Sequence, residues 1–282
     1  MYDRFGSLAF DRSLATPPAL VPNYRLTLEY EGTRYRGWQE QQNARSVAGE
    51  LRRAVQEAAG EVKELGGAGR TDAGVHALGQ CAHLRLAAAI EPELLRTRVN
   101  DLLPPDIHLL DVQRAPAGFH ARHSAVSRSY LYQVSRRRTA LAKRFVWWVK
   151  RPLDAAAMRA AAANVVGRHD FRLFCERPNE QPSTLVVVEG VEVIEAGSLI
   201  LVRLAASHFL WKMVRRVVGA LVRVGAGELD RRELADLIDG RAGRGRDLPA
   251  AWTAPPSGLF LERVIYPGDP PLAPVTPAVP VG

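Results

Sequence analysis

The apolar positions of the chain follow two spacings: an alternation typical of strands, and a three- to four-residue repeat typical of helices. In the first half they predict strands at residues 24–30, 62–65, 80–86 and 107–113 and helices at residues 46–59 and 91–102. The resulting order is βαββαβ. Two prolines, Pro104 and Pro105, end the second of these helices because proline cannot continue a helix.

The second half repeats this order loosely. Its predicted strands are residues 126–136, 145–149, 185–195, 199–205 and 259–266, and its predicted helices are residues 153–166, 209–224 and 230–238. Helices and antiparallel strands in this order are typical of an α+β protein with two ferredoxin-like domains, in which helices cover one face of each sheet. We expect the open faces to line a shared cleft.

Domain boundaries follow from where the periodicity begins and ends. Residues 1–22 have no clear period and are interpreted as a disordered extension, followed by domains at 23–114 and 115–267. Residues 268–282 are predicted to be a disordered tail, because the stretch from Pro267 onward holds six of the 19 prolines and one charge, Asp269.

Composition excludes several classes of protein. The 282 residues are 47% hydrophobic and 24% charged, with a mean hydropathy of −0.12, and contain no apolar run long enough to cross a membrane. Charges near the N-terminus argue against a secretory signal. The two cysteines, Cys81 and Cys175, form no CxxC motif, which disfavours a disulfide framework or a zinc site. A reducing cytoplasm is the expected compartment.

Positive charge is concentrated in two stretches. The chain has 38 basic and 30 acidic residues, a net charge of +8 and a pI near 9.9. Residues 112–153 contain ten Lys or Arg and residues 196–227 contain five, with no acid in either stretch. GC-rich coding explains part of the arginine content, but uniform codon bias does not segregate charge. The segregation favours a basic cleft that follows the phosphates of a nucleic acid.

The most unusual local sequence is residues 66–79, which hold five glycines between two predicted strands. It lacks the Lys-Ser/Thr of a Walker A loop, and Asp72 occupies the place of the third glycine of a dinucleotide fingerprint. From the pattern alone, Asp72 is equally well read as a turn residue that caps its own backbone or as a carboxylate nucleophile or base near Arg70.

Six segments in order resemble the TruA-type tRNA pseudouridine synthases. The stretch GRTDAGVHA at residues 69–77 resembles the family signature, and YEGTRYRGWQ at residues 30–39 resembles its first loop. The other matching segments are FHAR to SYLY at residues 119–132, WVKRPLD at residues 148–154, KMVR at residues 212–215 and PPSGLFL at residues 255–261. The resemblance extends over about residues 24–267.

The resemblance implies isomerisation of uridine to pseudouridine in the anticodon stem-loop of tRNA, at positions 38–40, by a homodimer without cofactor or metal. It assigns Asp72 as the catalytic aspartate and Arg215 as the cation that keeps this carboxylate ionised and aimed. It assigns Tyr130 as the aromatic that stacks on the target base and as a candidate to take the C5 proton. Without the family, Arg215 would be read as a solvated surface charge and Tyr130 as core packing.

A uridine in a stacked helix must leave the stack before it can react. By resemblance Arg70 fills the vacated space, which suits a planar cation that stacks and binds phosphate. Arg34, Arg36, Trp38 and Tyr35 are candidate RNA contacts, although Trp38 is slightly better read as the hydrophobic anchor of its loop. The remaining candidate contacts to RNA are Arg136, Arg137, Arg138, Lys143, Arg144 and Lys212.

Some positions limit the transfer. Ser183 stands where many relatives have an arginine before the threonine, so one RNA contact is expected to be missing or supplied elsewhere. His76, His120 and His123 have no metal-binding spacing and are expected to be structural. Two rival hypotheses remain: a catalytically silent RNA-binding module of two ferredoxin-like domains, and an enzyme that holds a small nucleotide on the glycine loop.

Overall fold

The computed structural model describes residues 21–241 and 248–281. Ten strands are present in these residues: β1 Asn23–Tyr30, β2 Val62–Gly67, β3 His76–Leu86, β4 Ile107–Arg114, β5 Ser127–Ser135, β6 Trp147–Trp148, β7 Gly167–Asp170, β8 Leu185–Ala196, β9 Leu199–Ala206 and β10 Leu259–Ile265. The helices are α1 Val47–Ala59, α2 Pro92–Leu102, α3 Ala155–Ala162, α4 Met213–Gly225 and α5 Arg231–Ile238, with short 3-10 turns between them. The predicted α+β class is confirmed.

The ten strands form one sheet in the order β4-β1-β3-β10-β5-β9-β8-β7, with β2 paired to β3 and β6 paired to β5. Two separate sheets were expected, and this part of the prediction is wrong. The last strand accounts for the difference, because β10 pairs in parallel with β3 through Phe260 and antiparallel with β5 through Leu259 to Ile265. Strand pairing across a long sequence separation leaves no periodic signal in the chain.

One face of the sheet carries all five helices and the larger core. On β5 the side chains alternate, so that Tyr130, Tyr132 and Val134 join the helix-side core while Leu131 faces the other side. Helices α1 and α2 pack beside each other and α2 packs on β4, whereas α3 packs on β8 and α4. The central strands β3, β10 and β5 therefore lie between two groups of helices.

Helix ends follow capping chemistry. The Ser46 side chain accepts the N–H of Gly49 at 3.2 Å and begins α1, and Asp230 with Glu233 forms a capping box at the start of α5. The helix predicted at residues 209–224 begins only at Met213, because Lys212 has a left-handed backbone with φ of 62°. The strand β7 was missed because its four residues, all polar or glycine, show no alternation of apolar and polar positions.

The proline-rich tail packs against the sheet over the described residues 268–281, which corrects the disorder predicted for this part of residues 268–282. Gln133 holds it on both sides: the amide donates to the carbonyl of Val279 at 3.3 Å and accepts the N–H of Ala278 at 2.8 Å. Val275, Val279 and Val281 cover Leu131 and Leu201 on the face opposite the helices. Proline content thus predicted irregular backbone, whereas valines that seal an apolar face keep the tail in place.

The predicted N-terminal extension falls almost wholly on residues 1–20, which lie outside the described residues. Within residues 21–241 and 248–281, no helix combines the length and apolar character that a membrane span requires.

Candidate active site

The loop from residue 68 to residue 75 joins β2 to β3 on the helix side of the sheet. Tyr30 and Thr71 share a hydrogen bond of 2.8 Å between their hydroxyls, and the fully buried Gln80 donates to the carbonyl of Gly69 at 2.9 Å. A turn closes at Asp72, whose carbonyl accepts the N–H of Val75 at 3.2 Å. Asp72 is therefore presented from a loop that is anchored on both sides.

Two glycines in the loop after β1 allow its backbone to pack closely against the backbone of the turn at Asp72. A Cβ on Gly32 would lie 1.9 Å from the carbonyl oxygen of Val75, and one on Gly37 would lie 2.3 Å from that of Thr71. Gly37 also has a φ of +94°, which disfavours residues with side chains. The segment that resembles the family's first loop is thus a backbone support for Asp72.

Arg215 on α4 reaches the Asp72 carboxylate. Its Nη1 donates to Oδ2 of Asp72 at 3.2 Å, and its Nε donates to the carbonyl of Ala254 at 2.7 Å. The side chains of Arg215 and Asp72 are 14% and 25% exposed, so the pair is shielded but still reachable from solvent. An ion pair held by a second, backbone contact fixes the direction of the carboxylate.

Tyr130 lies beside this pair. Its ring is 8% exposed and meets the Phe209 ring edge-on, with 5.0 Å between centroids. Burial raises the pKa of Tyr130, and the charge of Asp72 acts in the same direction. The phenol is therefore neutral at physiological pH, which suits stacking on a base better than accepting a proton.

The cations of residues 196–227 are paired with acids from elsewhere in the chain. Arg203 binds Glu262, Arg223 binds Glu228, and both Lys212 and Arg216 bind Glu176. Lys212 precedes α4 and shares Glu176 with Arg216, whereas Arg215 turns to Asp72. Much of the charge that is segregated in sequence is neutralised in space.

Other predicted RNA contacts remain exposed. Within the described residues Arg34, Arg36, Arg70, Arg138 and Lys143 are exposed and form no ion pair. Three further candidates are engaged. Arg136 binds Glu195, and Arg144 lies 3.8 Å from Glu31. Nη1 of Arg137 donates to the carbonyl of Arg138 at 3.4 Å.

Trp38 and Tyr35, two candidate RNA contacts, are buried. Trp38 is 3% exposed and its indole lies against Gly67, where a Cβ would be 2.5 Å from the ring. Tyr35 is 2% exposed and its hydroxyl donates to Asp106. The aromatic residues of this loop are anchors, which confirms the alternative reading of Trp38.

Glu64, His83 and His120 bring their ligating atoms within 4.8 Å of one another. Nδ1 of His83 accepts the N–H of Ala121 at 3.3 Å, and Nδ1 of His120 accepts the N–H of Arg122 at 3.2 Å, so both ring protons are on Nε2. A metal bound through Nε2 needs the opposite tautomer. The cluster is better explained by hydrogen bonding, with Nε2 of His83 donating to Glu64 at 3.1 Å.

Sequence reasoning missed several residues around the site. Arg128 donates to the carbonyls of Ala68 and Arg122 and so ties the loop at residues 68–75 to the segment before β5. The apolar alternation places Gln80 in a predicted strand. A polar amide within that apolar pattern was a usable signal for a buried hydrogen bond. Ser183 accepts the N–H of Leu185 at 3.2 Å, which gives it a local capping role.

Comparison with known proteins agrees with this geometry. A family described as tRNA pseudouridine synthase matches residues 27–124 and 161–267. A protein named tRNA pseudouridine synthase A from Sinorhizobium fredii is 40% identical over 252 residues, covering 87% of this chain and 100% of that protein. Proteins of the same name are 41% identical in Rhizobium meliloti, with the same coverage, and 40% identical in Maricaulis maris, covering 88% of this chain and 99% of that protein. This chain belongs to the tRNA pseudouridine synthase family, whose enzymes isomerise uridine to pseudouridine.

Proposed function

We propose that this protein converts uridine to pseudouridine in the anticodon stem-loop of tRNA, at positions 38–40, with Asp72 as its catalytic carboxylate. The observation that carries the proposal is the Asp72–Arg215 pair, which is partly open to solvent and lies next to the Tyr130 ring. A silent RNA-binding module would have no use for a carboxylate held in this way, so that alternative is not favoured.

The reaction is an isomerisation and balances within the substrate. The bond between N1 and C1′ breaks, the base turns, a bond forms between C5 and C1′, and the C5 proton is exchanged for a proton on N1. Asp72 makes or assists the cleavage as nucleophile or base, and Arg215 keeps its carboxylate ionised and aimed. Tyr130, as a neutral buried phenol, stacks on the turning base. No redox or group-transfer cofactor is required by this balance.

The uridine must be turned out of its helix to reach Asp72. Arg70, exposed and two residues before Asp72, occupies the place that the uridine leaves. The exposed cations Arg34, Arg36 and Arg122 border the same loops and contact phosphates, which position the RNA without selecting its sequence. Arg138 and Lys143 extend this positive surface, and the paired Arg136, Arg144 and Lys212 contribute less to it than their number in the sequence suggests.

We also retain two ferredoxin-like units, at 23–114 and 115–267, as the architecture that forms the cleft. The strand order β4-β1-β3 with β2 beside β3 supports this for the first unit. A homodimer would place tRNA between two such clefts, and a tRNA substrate implies a cytoplasmic location, with which the two free, buried cysteines agree.

The substrate proposal is tested by mapping pseudouridine on unmodified tRNA transcripts after incubation with the full chain. We expect modification only within positions 38–40, and a transcript with cytidine at all three positions should stay unmodified. Modification confined to another arm would overturn the assigned substrate while leaving the enzyme class intact. Light scattering of the same preparation, with and without tRNA, tests the dimer.

A further inference from the structure

An exposed tryptophan in the segment just before α4 has two cations over its ring. Trp211 is 40% exposed. The guanidinium carbon of Arg177 is 5.3 Å from the centroid of the indole, and Nζ of Lys212 is 5.6 Å from it. Large aromatic side chains are normally buried, so an exposed one that is flanked by cations needs an explanation.

The backbone holds this group in an unusual conformation. Arg177 and Lys212 have φ of 51° and 62°, and in the described parts of the chain they are the two non-glycine residues with positive φ. The carbonyl of Trp211 accepts the N–H of Glu176 at 2.9 Å, and the Glu176 carboxylate binds Lys212 at 3.2 Å. Strained residues of this kind cluster at functional sites.

Trp211 is close in sequence to two residues that contact the proposed reacting groups. Two residues before it, Phe209 contacts the ring of Tyr130, and four residues after it, Arg215 binds Asp72. Residues 209–215 therefore carry the indole together with the side chains that contact Tyr130 and Asp72.

We propose that Trp211, Arg177 and Lys212 form a binding site for a nucleotide of the RNA that adjoins the target uridine. The base stacks with the indole and the Arg177 guanidinium, and the phosphate lies near Arg177 and Lys212, which pair with Glu180 and Glu176 in the RNA-free structure. This inference rests on the proposed function, because it supplies a contact for the RNA segment unstacked when the uridine turns out. Aromatic rings with interleaved cations are the usual platform for single-stranded nucleic acid, since every base has a face that can stack.

The first test compares tRNA affinity and single-turnover rate among full-length variants. Trp211→Ala should raise the Kd for tRNA roughly 5- to 150-fold, the range for loss of one stacked base, while the rate at saturating enzyme changes less than about threefold. Trp211→Phe should restore most of the affinity. Leu94→Ala, which shortens a 44% exposed side chain on α2, is the control and should match the wild type. Arg177→Gln should reduce the slope of log Kd against the logarithm of salt concentration by about one.

A second test does not depend on the alanine variant folding. Stacking of a base quenches indole fluorescence, so tRNA should quench the wild type more than it quenches Trp211→Phe. Equal quenching of these two proteins, or a Trp211→Ala variant that binds tRNA like the wild type, would overturn the inference. If the wild type forms no pseudouridine at all, it is the proposed function that fails, so the two failures are distinguishable.

Discussion

Asp72 and Arg215 lie 143 positions apart in the chain and meet at 3.2 Å across the helix side of the sheet. One comes from the loop between β2 and β3, and the other from the first turn of α4. The pair forms because β10 joins the two halves of the chain into one sheet, so that the loop and the helix face each other. The candidate active site is thus a product of the overall topology.

Removing the arginine should affect the chemistry more than the binding of tRNA. In Arg215→Ala the Asp72 carboxylate loses the contact that aims it, and we expect the single-turnover rate to fall about 100-fold or more, with the Kd for tRNA within about threefold. Arg215→Lys keeps the charge but loses the Nε contact to Ala254, so its rate should lie between that of the wild type and that of Arg215→Ala. Rapid-quench kinetics measures this; an affinity loss as large as the rate loss would instead mark Arg215 as a phosphate contact.

A methyl group on Gly32 should displace the loop that carries Asp72. The added Cβ would lie 1.9 Å from the Val75 carbonyl, so backbone must move. We expect Gly32→Ala to slow turnover by about 10- to 100-fold. Gly118→Ala is the matched control, because nothing lies within 4 Å of its added Cβ. Equal rates for the two variants would show that the position of the loop does not limit catalysis.

Stability should fall in mild acid through His76. This 1% exposed ring accepts the Gly32 N–H on Nδ1 at 3.0 Å and donates from Nε2 to the Arg144 carbonyl at 2.9 Å. Burial lowers the pKa of His76, so its stabilising effect is present above the unfolded value of about 6.5 and is lost as pH falls through the folded value.

Urea unfolding between pH 5 and 8 tests this. The wild type should lose stability on acidification more steeply than His76→Gln, whose amide can keep both hydrogen bonds without titrating. The difference in slope should approach that of one proton, about 1.4 kcal/mol per pH unit. Parallel curves would assign the acid sensitivity to other groups, such as His120 and His208, whose pKa values are also lowered by burial.

Deleting residues 273–282 should destabilise the protein without abolishing activity. The deletion uncovers Leu131 and Leu201 and removes the partners of Gln133, which should cost about 2–4 kcal/mol in the free energy of unfolding. The rate at 25 °C should stay within a few fold, because Asp72 lies on the other face. An unchanged urea midpoint would support the disorder that composition predicts.

The sequence predicted much of the local structure well. Alternation located β1, β4, β8 and β9 to within one or two residues, because these strands have one buried face. The glycine-rich stretch at residues 66–79 was visible for a local reason as well: an added Cβ would meet the side chain of His83 at Gly66 and that of Trp38 at Gly67.

What the sequence could not provide depends on distant contacts. The single sheet requires β10 to pair with β3 across some 180 positions, and no spacing reports that. The burial of Tyr35 and the pairing of Lys212 with Glu176 also depend on which segments meet after folding. Charge counts in sequence likewise overstated the free positive surface, because acids from remote segments pair with Arg203 and Arg216.

The most direct test of the account is tritium release from a tRNA transcript labelled with [5-³H]uridine, with wild type and Asp72→Asn compared side by side at enzyme concentrations above the Kd of each. The account predicts release by the wild type, a rate for Asp72→Asn below about one-thousandth of that, and tRNA affinities within a few fold of each other. Release by Asp72→Asn at a rate near that of the wild type would contradict the assignment of Asp72 as the catalytic carboxylate.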